Sequence, residues 1–368
     1  MMDVRLKQLG DHLLNYSCSV KDGDKVLIES TKNSSELIKY LVRECYKRGA
    51  MPFVILRESD IKRELILSGT SEQFEIMAEE QKLLMKRMDV YIEITEYDNC
   101  YEMNDVPIEQ RQLYQRYFYQ PVYTENGIER WVTVGFPTKS MAQRFGMSTD
   151  TFEDYYFSVV NADYEKMSKK MLVLKKSLDK AKIVTLQGNG LNLSFSIEEA
   201  KTFICDGKIN LPDGEVFVAP DIYSANGSIK FNVDSLYQGY NFSDIELFFH
   251  NGMVVNAGAS KNAKILNRIL DTDEGSRYLG EFAIGTNPNI TKTVGNILYD
   301  EKMLGSIHLA LGQSHFESDN QNKSAIHWDM VYRMEEEFGK AKMFLDDELI
   351  MENGKFVPKK LELLNRSK

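Results

Sequence analysis

At 368 residues the chain exceeds the roughly 250–300 residues at which a single core stops growing, so two domains are expected. Its 43% hydrophobic and 27% charged residues are those of an ordinary soluble globular protein, which excludes fibrous and disordered classes. The formal net charge of −10, with lysines and arginines scattered among more numerous acids, argues against nucleic acid as a partner, because phosphate-binding proteins present a basic face.

The four cysteines, Cys18, Cys45, Cys100 and Cys205, form no CxxC pair. That spacing is neither a disulfide framework nor a zinc ribbon, and it predicts reduced thiols in a cytoplasmic protein. The N-terminal MMDVRLKQLGDHLLNYS has no apolar signal-peptide core. No stretch reaches the ~20 apolar residues of a membrane helix, so no membrane association is expected.

In chain order, Val4, Leu6, Leu9 and Leu13 predict an amphipathic opening helix. KVLIE at 25–29 is a buried-strand pattern. Residues 33–48 carry Leu37, Ile38, Leu41 and Cys45 on a helical stripe that stops at Gly49. PFVIL at 52–56 and VYIEI at 90–94 are further strands. Crossovers of this length predict parallel pairing and therefore an α/β N-terminal domain. Residues 137–180 predict helix, with a start at Asp150 and Glu153. From Tyr156 to Lys180 there is neither proline nor glycine, and this stretch is expected to bridge the domains.

From 182 the period becomes strand-like. In KIVTLQ-GNG-LNLSFSI, the residues Leu191, Leu193, Phe195 and Ile197 alternate, which predicts a β-hairpin. GNGLNL lacks the third glycine and the following helix of a dinucleotide fingerprint. EVFVAP, SIKFN, IELFFH and MVVN predict more strands, and Ile265, Leu266, Ile269 and Leu270 mark one helix over 260–270. KMFLDDELIMENGKFV reads as short strands joined by DD and NG turns. The expected organisation is an α/β N-terminal domain with a helical bridge over 1–181 and a β-rich α+β catalytic domain over 182–368.

Histidine is scarce, five in the chain, yet His308, His315 and His327 fall within twenty positions. In IHWDMV, His327 and Asp329 are two apart, so on a strand both project from one face. Alone, that pair fits a solvated edge strand equally well. Glu215 begins EVFVAP after the turn LPDG, and Glu281 in LGEFAIG is flanked by apolar residues on a buried strand. An ionised carboxylate seldom stays buried unless it is paired or bound to metal. A solvated turn for Glu215 and an arginine partner for Glu281 are the alternatives. With the histidines, the two glutamates form a nitrogen and oxygen set suited to zinc, cobalt or manganese.

PDGEVFVAP, GEFAIGTN, YDE, HLALGQS and HWDM follow one another in an order that resembles the M29 family of metallo-aminopeptidases, the aminopeptidase T and aminopeptidase S type. VGFPTKSMAQRFGMS and DDELIMENGKF are also similar to family segments. The resemblance implies that Glu215, Glu281, His308, His327 and Asp329 bind two divalent metal ions. It also implies peptide substrates and a homodimer. His315 departs from the family pattern, since several relatives have a tyrosine there at the metal centre. A ligand, a transition-state donor, a sign of altered chemistry and a bystander surface histidine just past a strand end are the alternative roles for it. Glu301 in YDE matches a further acidic position, with a surface loop acid as the alternative. The mechanism expected from the resemblance has a hydroxide shared by two metals attack the N-terminal peptide bond. Glu281 relays the proton to the leaving amine, and His315 donates to the oxyanion. The competing reading is a mononuclear iron(II) ring-cleaving dioxygenase on the same scaffold, with His308, His327 and Asp329 as its triad. His308 and His315 are seven apart, an odd spacing that requires a turn near Gly312 if both are to reach one site.

Overall fold

The computed structural model describes residues 2–31, 34–96, 98–99, 101–124 and 127–366. Cys100 lies outside them, while Cys18, Cys45 and Cys205 are buried free thiols. The chain forms two compact units, Met1–Ala162 with Gly207–Pro212, and Asp163–Asp206 with Asp213–Lys368.

The first unit is built on strands β1 (Lys25–Ser30), β2 (Met51–Leu56), β3 (Val90–Thr95) and β4 (Arg130–Gly135). All pair in parallel, in the spatial order β2-β1-β3-β4. Five consecutive residues of β1 are buried, the mark of a strand covered on both faces. β2 forms the edge, and Met51, Phe53, Val54 and Leu56 are exposed on it. The opening helix Val4–His12 buries Leu6 and Leu9 but leaves Val4 in solvent. Helix Ser35–Lys47 buries the expected stripe. Helices Ser59–Ser68 and Ser71–Met85, between β2 and β3, escape the sequence reading because their buried positions, Ile66, Phe74, Ala78 and Met85, are too sparse to form a stripe. From β1 the chain makes β2 on one side, then crosses back to make β3 on the other. The connections leaving β1 and β3 therefore diverge and open a crevice beyond their carboxyl ends.

The expected bridge from Tyr156 to Lys180 is not one helix. Helix Thr149–Val160 ends at Asn161, and helix Tyr164–Leu178 begins afresh with the Asp163 carboxylate accepting the Lys166 amide at 2.9 Å. Short polar side chains satisfy the backbone locally here and compete with helix continuation. Tyr164, Met167, Met171, Leu174 and Leu178 form one buried stripe, and this second helix belongs with the second unit. The division therefore falls before it, whereas the expected boundary at 181/182 falls after it.

The second unit continues with β5 (Ile183–Gly188), β6 (Leu191–Ser196) and β7 (Phe203–Cys205). The chain then returns to the first unit for β8 (Asn210–Leu211), which pairs in parallel with β4. Back in the second unit follow β9 (Glu215–Val218), β10 (Asn226–Lys230), β11 (Ser235–Tyr237), β12 (Tyr240–Phe242), β13 (Glu246–His250) and β14 (Met253–Gly258). After helix Ala263–Leu270 come β15 (Leu279–Gly285), β16 (Ser306–Gly312), β17 (His327–Arg333), β18 (Lys342–Leu345), β19 (Glu348–Glu352) and β20 (Lys355–Phe356). The expected hairpin is β5–β6, with Gly190 at φ +65° in its turn. An antiparallel sheet runs β14-β13-β10-β6-β5-β18-β19-β20, and a second runs β17-β16-β15-β9-β7. The α/β first unit and the β-rich second unit are the expected fold class.

The five-stranded sheet has two unlike faces. Val216, Val218, Phe282, Ile284, Ile307 and Leu309 alternate onto a buried apolar face, where Phe282 meets Phe195 of β6 edge-on at 5.1 Å. Phe282→Ala should cost about 3–5 kcal/mol of stability. The midpoint of urea unfolding measures that loss; a cost below about 1 kcal/mol would show that this face does not hold the two sheets together.

Candidate metal centre

The opposite face of this sheet carries the polar residues. Antiparallel pairing sets Cys205 of β7 against Glu215, and Glu215 against Gly285. It sets Glu281 against Ala310, and His308 against Ala283. On the far side it sets Asp329 against Ala310, and His327 against Gly312. Directly opposed residues share a face, so all five expected ligands project to one side. Glu215, Glu281, His308, His327 and Asp329 each face glycine or alanine across a neighbouring strand. At Gly285 and Gly312 a side chain would run into the Met303 and Ile326 carbonyls, so glycine is required there, while Ala283 and Ala310 put only a methyl group beside the charged residues.

The functional atoms converge. His308 Nε2 lies 3.2 Å from Glu281 Oε1, 3.6 Å from Glu215 Oε2 and 3.9 Å from Asp329 Oδ1. His327 Nε2 lies 3.4 Å from Asp329 Oδ1 and 3.6 Å from Glu281 Oε2. His327 Nδ1 meets the Gln313 carbonyl at 2.6 Å, so this nitrogen donates and Nε2 is the one that faces the cluster. β16 ends at Gly312, whose φ of +99° and approach to the Ile326 carbonyl suit glycine. That turn brings His315 round so that its Nε2 lies 3.2 Å from Glu281 Oε2. Its ring packs against Phe217 and His327, and its side chain is 49% exposed.

Burial works against charge on His308, but the Glu281 hydrogen bond and the Glu215 and Glu301 charges push it up to about 10. Burial likewise opposes charge on His327, and Asp329 prevails, raising it to about 10. Burial would raise Glu281, yet His308 and His315 hold it well below the usual carboxylate range. The carboxylates thus draw positive charge into the cluster.

The family model described as thermophilic metalloprotease (M29) matches residues 2–356. The chain belongs to the M29 family. Aminopeptidase T from Thermus aquaticus is 30% identical over 165 residues, which span 40% of this chain and 38% of that protein. Aminopeptidase PepS from Streptococcus thermophilus is 22% identical over 348 residues, 84% of each. Among solved structures, wild-type AmpT from Thermus thermophilus has a TM-score of 0.82 at 21% identity, covering 96% of this chain and 99% of its own. The 2,5-dihydroxypyridine dioxygenase from Pseudomonas putida has a TM-score of 0.61 at 14% identity, covering 98% and 99%. At those identities the two structures show the fold.

An M29 chain implies divalent metal, and the residues present fit it. Among the described residues, Glu215 Oε2, His308 Nδ1 and Asp329 Oδ1 are buried without a hydrogen-bond partner. Four overlapping groups of side chains lie close enough to share an ion: Glu215-Glu281-His308, Glu281-His315-His327, Glu301-His308-Asp329 and Cys205-Asp213-Glu215. Burial pushes the Cys205 thiol well above its ordinary value, which makes it the poorest donor of the set.

Lys302, Asp213 and Cys205 are the members that the sequence reading missed. Lys302 Nζ lies 2.8 Å from Glu215, 2.6 Å from Glu301 and 3.9 Å from Asp213, with 2% of its side chain exposed. Burial opposes its charge, but Glu215, Glu301 and Asp213 hold its pKa well above the ordinary lysine value. Nothing in its sequence surroundings distinguishes it from a surface lysine. Glu301, flagged only by resemblance, is buried, and burial lifts it to about 7 in spite of Lys302.

Ala310 faces both Glu281 and Asp329. Ala310→Leu should fill the space above the sheet and lower bound metal per chain by more than half, at a stability cost of about 1–3 kcal/mol. Elemental analysis alongside circular dichroism tests this. Full metal content in a folded variant would show that the small residues do not shape the centre.

Proposed function

We propose that this chain is a metal-dependent aminopeptidase that hydrolyses the N-terminal bond of peptides at a centre for two divalent ions, zinc, cobalt or manganese. The charge balance of the cluster carries the reading. Asp213, Glu215, Glu281, Glu301 and Asp329 are five carboxylates, and the fixed cation paired with them among the described residues is Lys302. Divalent ions would displace the protons of the imidazoles and of Glu301, and the four negative charges then remaining match two such ions.

In this reading Glu215, Glu281, His308, His327 and Asp329 hold the metals, with Glu281 common to two of the ligand groups. Divalent ions bound there would supply Lewis acidity and bring the pKa of water toward neutrality. Glu281, within 3.6 Å of three imidazoles, orients the attacking water and carries its proton to the leaving amine. His315 is half-exposed, so its Nε2–H can reach a substrate and donate to the developing oxyanion. The excess of carboxylates favours a peptide that arrives with its free ammonium end. A cytoplasmic homodimer completes the reading, and light scattering on purified protein tests the dimer.

One observation favours a second reading. Glu281, His315 and His327 place one carboxylate and two imidazoles within 4.8 Å, a donor set for a single iron(II). That group is tighter than the expected His308-His327-Asp329 triad, and the fold is shared with a dioxygenase. Metal analysis separates the two: two zinc, cobalt or manganese ions per chain support the peptidase, and one iron supports the oxygenase.

A chelator should abolish hydrolysis of aminoacyl substrates, and cobalt, manganese or zinc should restore it, while circular dichroism stays unchanged. The large apolar faces do not depend on metal for folding, unlike a zinc finger. Hydrolysis that persists after complete metal removal would end this reading. His315→Ala should lower kcat by about 10²–10³ with metal content unchanged. Lost metal would make His315 a ligand, and wild-type values for both would make it a bystander.

A further inference from the structure

The first unit contains a cavity of about 330 Å³ at the carboxyl ends of β1, β2 and β3. It lies at the crevice where the connections leaving β1 and β3 diverge, the place where open α/β sheets bind ligands. Its volume is that of a small-molecule pocket. Among its lining residues are Glu29, Thr31, Arg57, Lys62, Glu93 and Glu96.

Folds of this kind commonly hold phosphate on the free amides of a helix N-terminus. Here that role is already taken. The Ser34 amide, just ahead of helix Ser35–Lys47, donates to Glu96 Oε1 at 2.7 Å, and the Ser30 hydroxyl lies 3.4 Å from the same oxygen. The protein's own carboxylate sits where an anion would bind. Glu96 is 5% exposed, and its second oxygen, Oε2, has no hydrogen-bond partner among the described residues. Thr31, also on the cavity wall, has a buried Oγ1 with no hydrogen-bond partner among the described residues.

The charges of the wall are uneven. Among the described residues, the wall sets Glu29, Glu93, Glu96 and Glu102 against Arg57 and Lys62. Arg57 is committed to Glu29, which also accepts from the Tyr123 hydroxyl at 3.0 Å. Glu93 has the Thr133 hydroxyl at 2.9 Å and no ion pair within 4 Å among the described residues. Lys62 also lacks such a pair, and its Nζ lies 5.4 Å over the Tyr114 ring. Among the described residues, the carboxylates on the cavity wall therefore outnumber the cations there. Among the described residues, the groups of three side chains near enough to share a metal ion all belong to the second unit, which does not favour a bare metal ion here.

We infer that this crevice binds a small organic amine, with the ligand's primary ammonium held by Glu93 and Glu96. An ammonium supplies three donors and a positive charge, which is what the unpartnered Glu96 oxygen and the excess of carboxylates lack. Thr31 Oγ1 offers one further acceptor. The inference is independent of the chemistry at the metal centre, and its test reads binding without turnover.

The probe is cadaverine, titrated calorimetrically into the full-length protein, with glutarate as a carboxylate-only control of matching length. Cadaverine should saturate one site per chain, and glutarate should not bind. Glu96→Gln keeps an oxygen for the Ser34 amide while removing the charge, and it should weaken cadaverine about ten- to hundredfold. Glu93→Gln should weaken it similarly, and Lys62→Met, which removes a like charge, should tighten it. Glu281→Gln should leave it unchanged. If Glu96→Gln fails to fold, Glu93→Gln and Lys62→Met decide. Three outcomes overturn the inference: no saturable binding, equal binding of glutarate, or binding that is lost in Glu281→Gln but kept in Glu93→Gln and Glu96→Gln.

Discussion

Uncompensated negative charge on one sheet face is the constraint around which the second unit is arranged. Glu215, Glu281 and Glu301 are all less than 10% exposed, and Asp213 is fully buried. Removing such groups from water costs several kcal/mol each unless opposite charge meets them. Lys302 meets three of them, and the imidazoles of His308, His315 and His327 surround Glu281. That arrangement leaves a demand for positive charge, which in the metal-free protein is met by Lys302 and by protons on the imidazoles.

The sheet makes the arrangement possible through pairing rather than through loops. Strands hold their side chains at fixed spacing, so ligands from four strands meet at one level without a long connection having to fold over them. Glycine and alanine opposite the charged residues let backbone and small groups pack beside them, while the other face supplies the apolar core. His315 is the exception, because it reaches the cluster from beyond the strand end, through the left-handed Gly312. A residue delivered by a turn can change without disturbing the sheet.

The first unit meets the same problem of buried acids in a different way. Glu29 is paired with Arg57, whereas Glu96 borrows a backbone amide for one oxygen only. The result is a polar crevice at a topological switch point, within a unit that contains none of the metal-centre residues.

By itself the sequence indicated the parallel first sheet, the β5–β6 hairpin and five polar residues, Glu215, Glu281, His308, His327 and Asp329, that converge on one sheet face, because hydrophobic periodicity and ordered motifs are local properties. Glu281 within an apolar run and the H-x-D pair of His327 and Asp329 showed on a strand reading that polar groups would point one way. It did not show the break at Asn161–Asp163, where two side-chain hydrogen-bonding residues outweigh an otherwise unbroken helical run. Nor did it show Lys302, which is buried only because three carboxylates distant in sequence or next to it come together. Pairing register, and with it the match of each ligand to a glycine or alanine on the next strand, was decided by the tertiary structure alone. Register is a relation between strands up to a hundred residues apart, and no local pattern carries it.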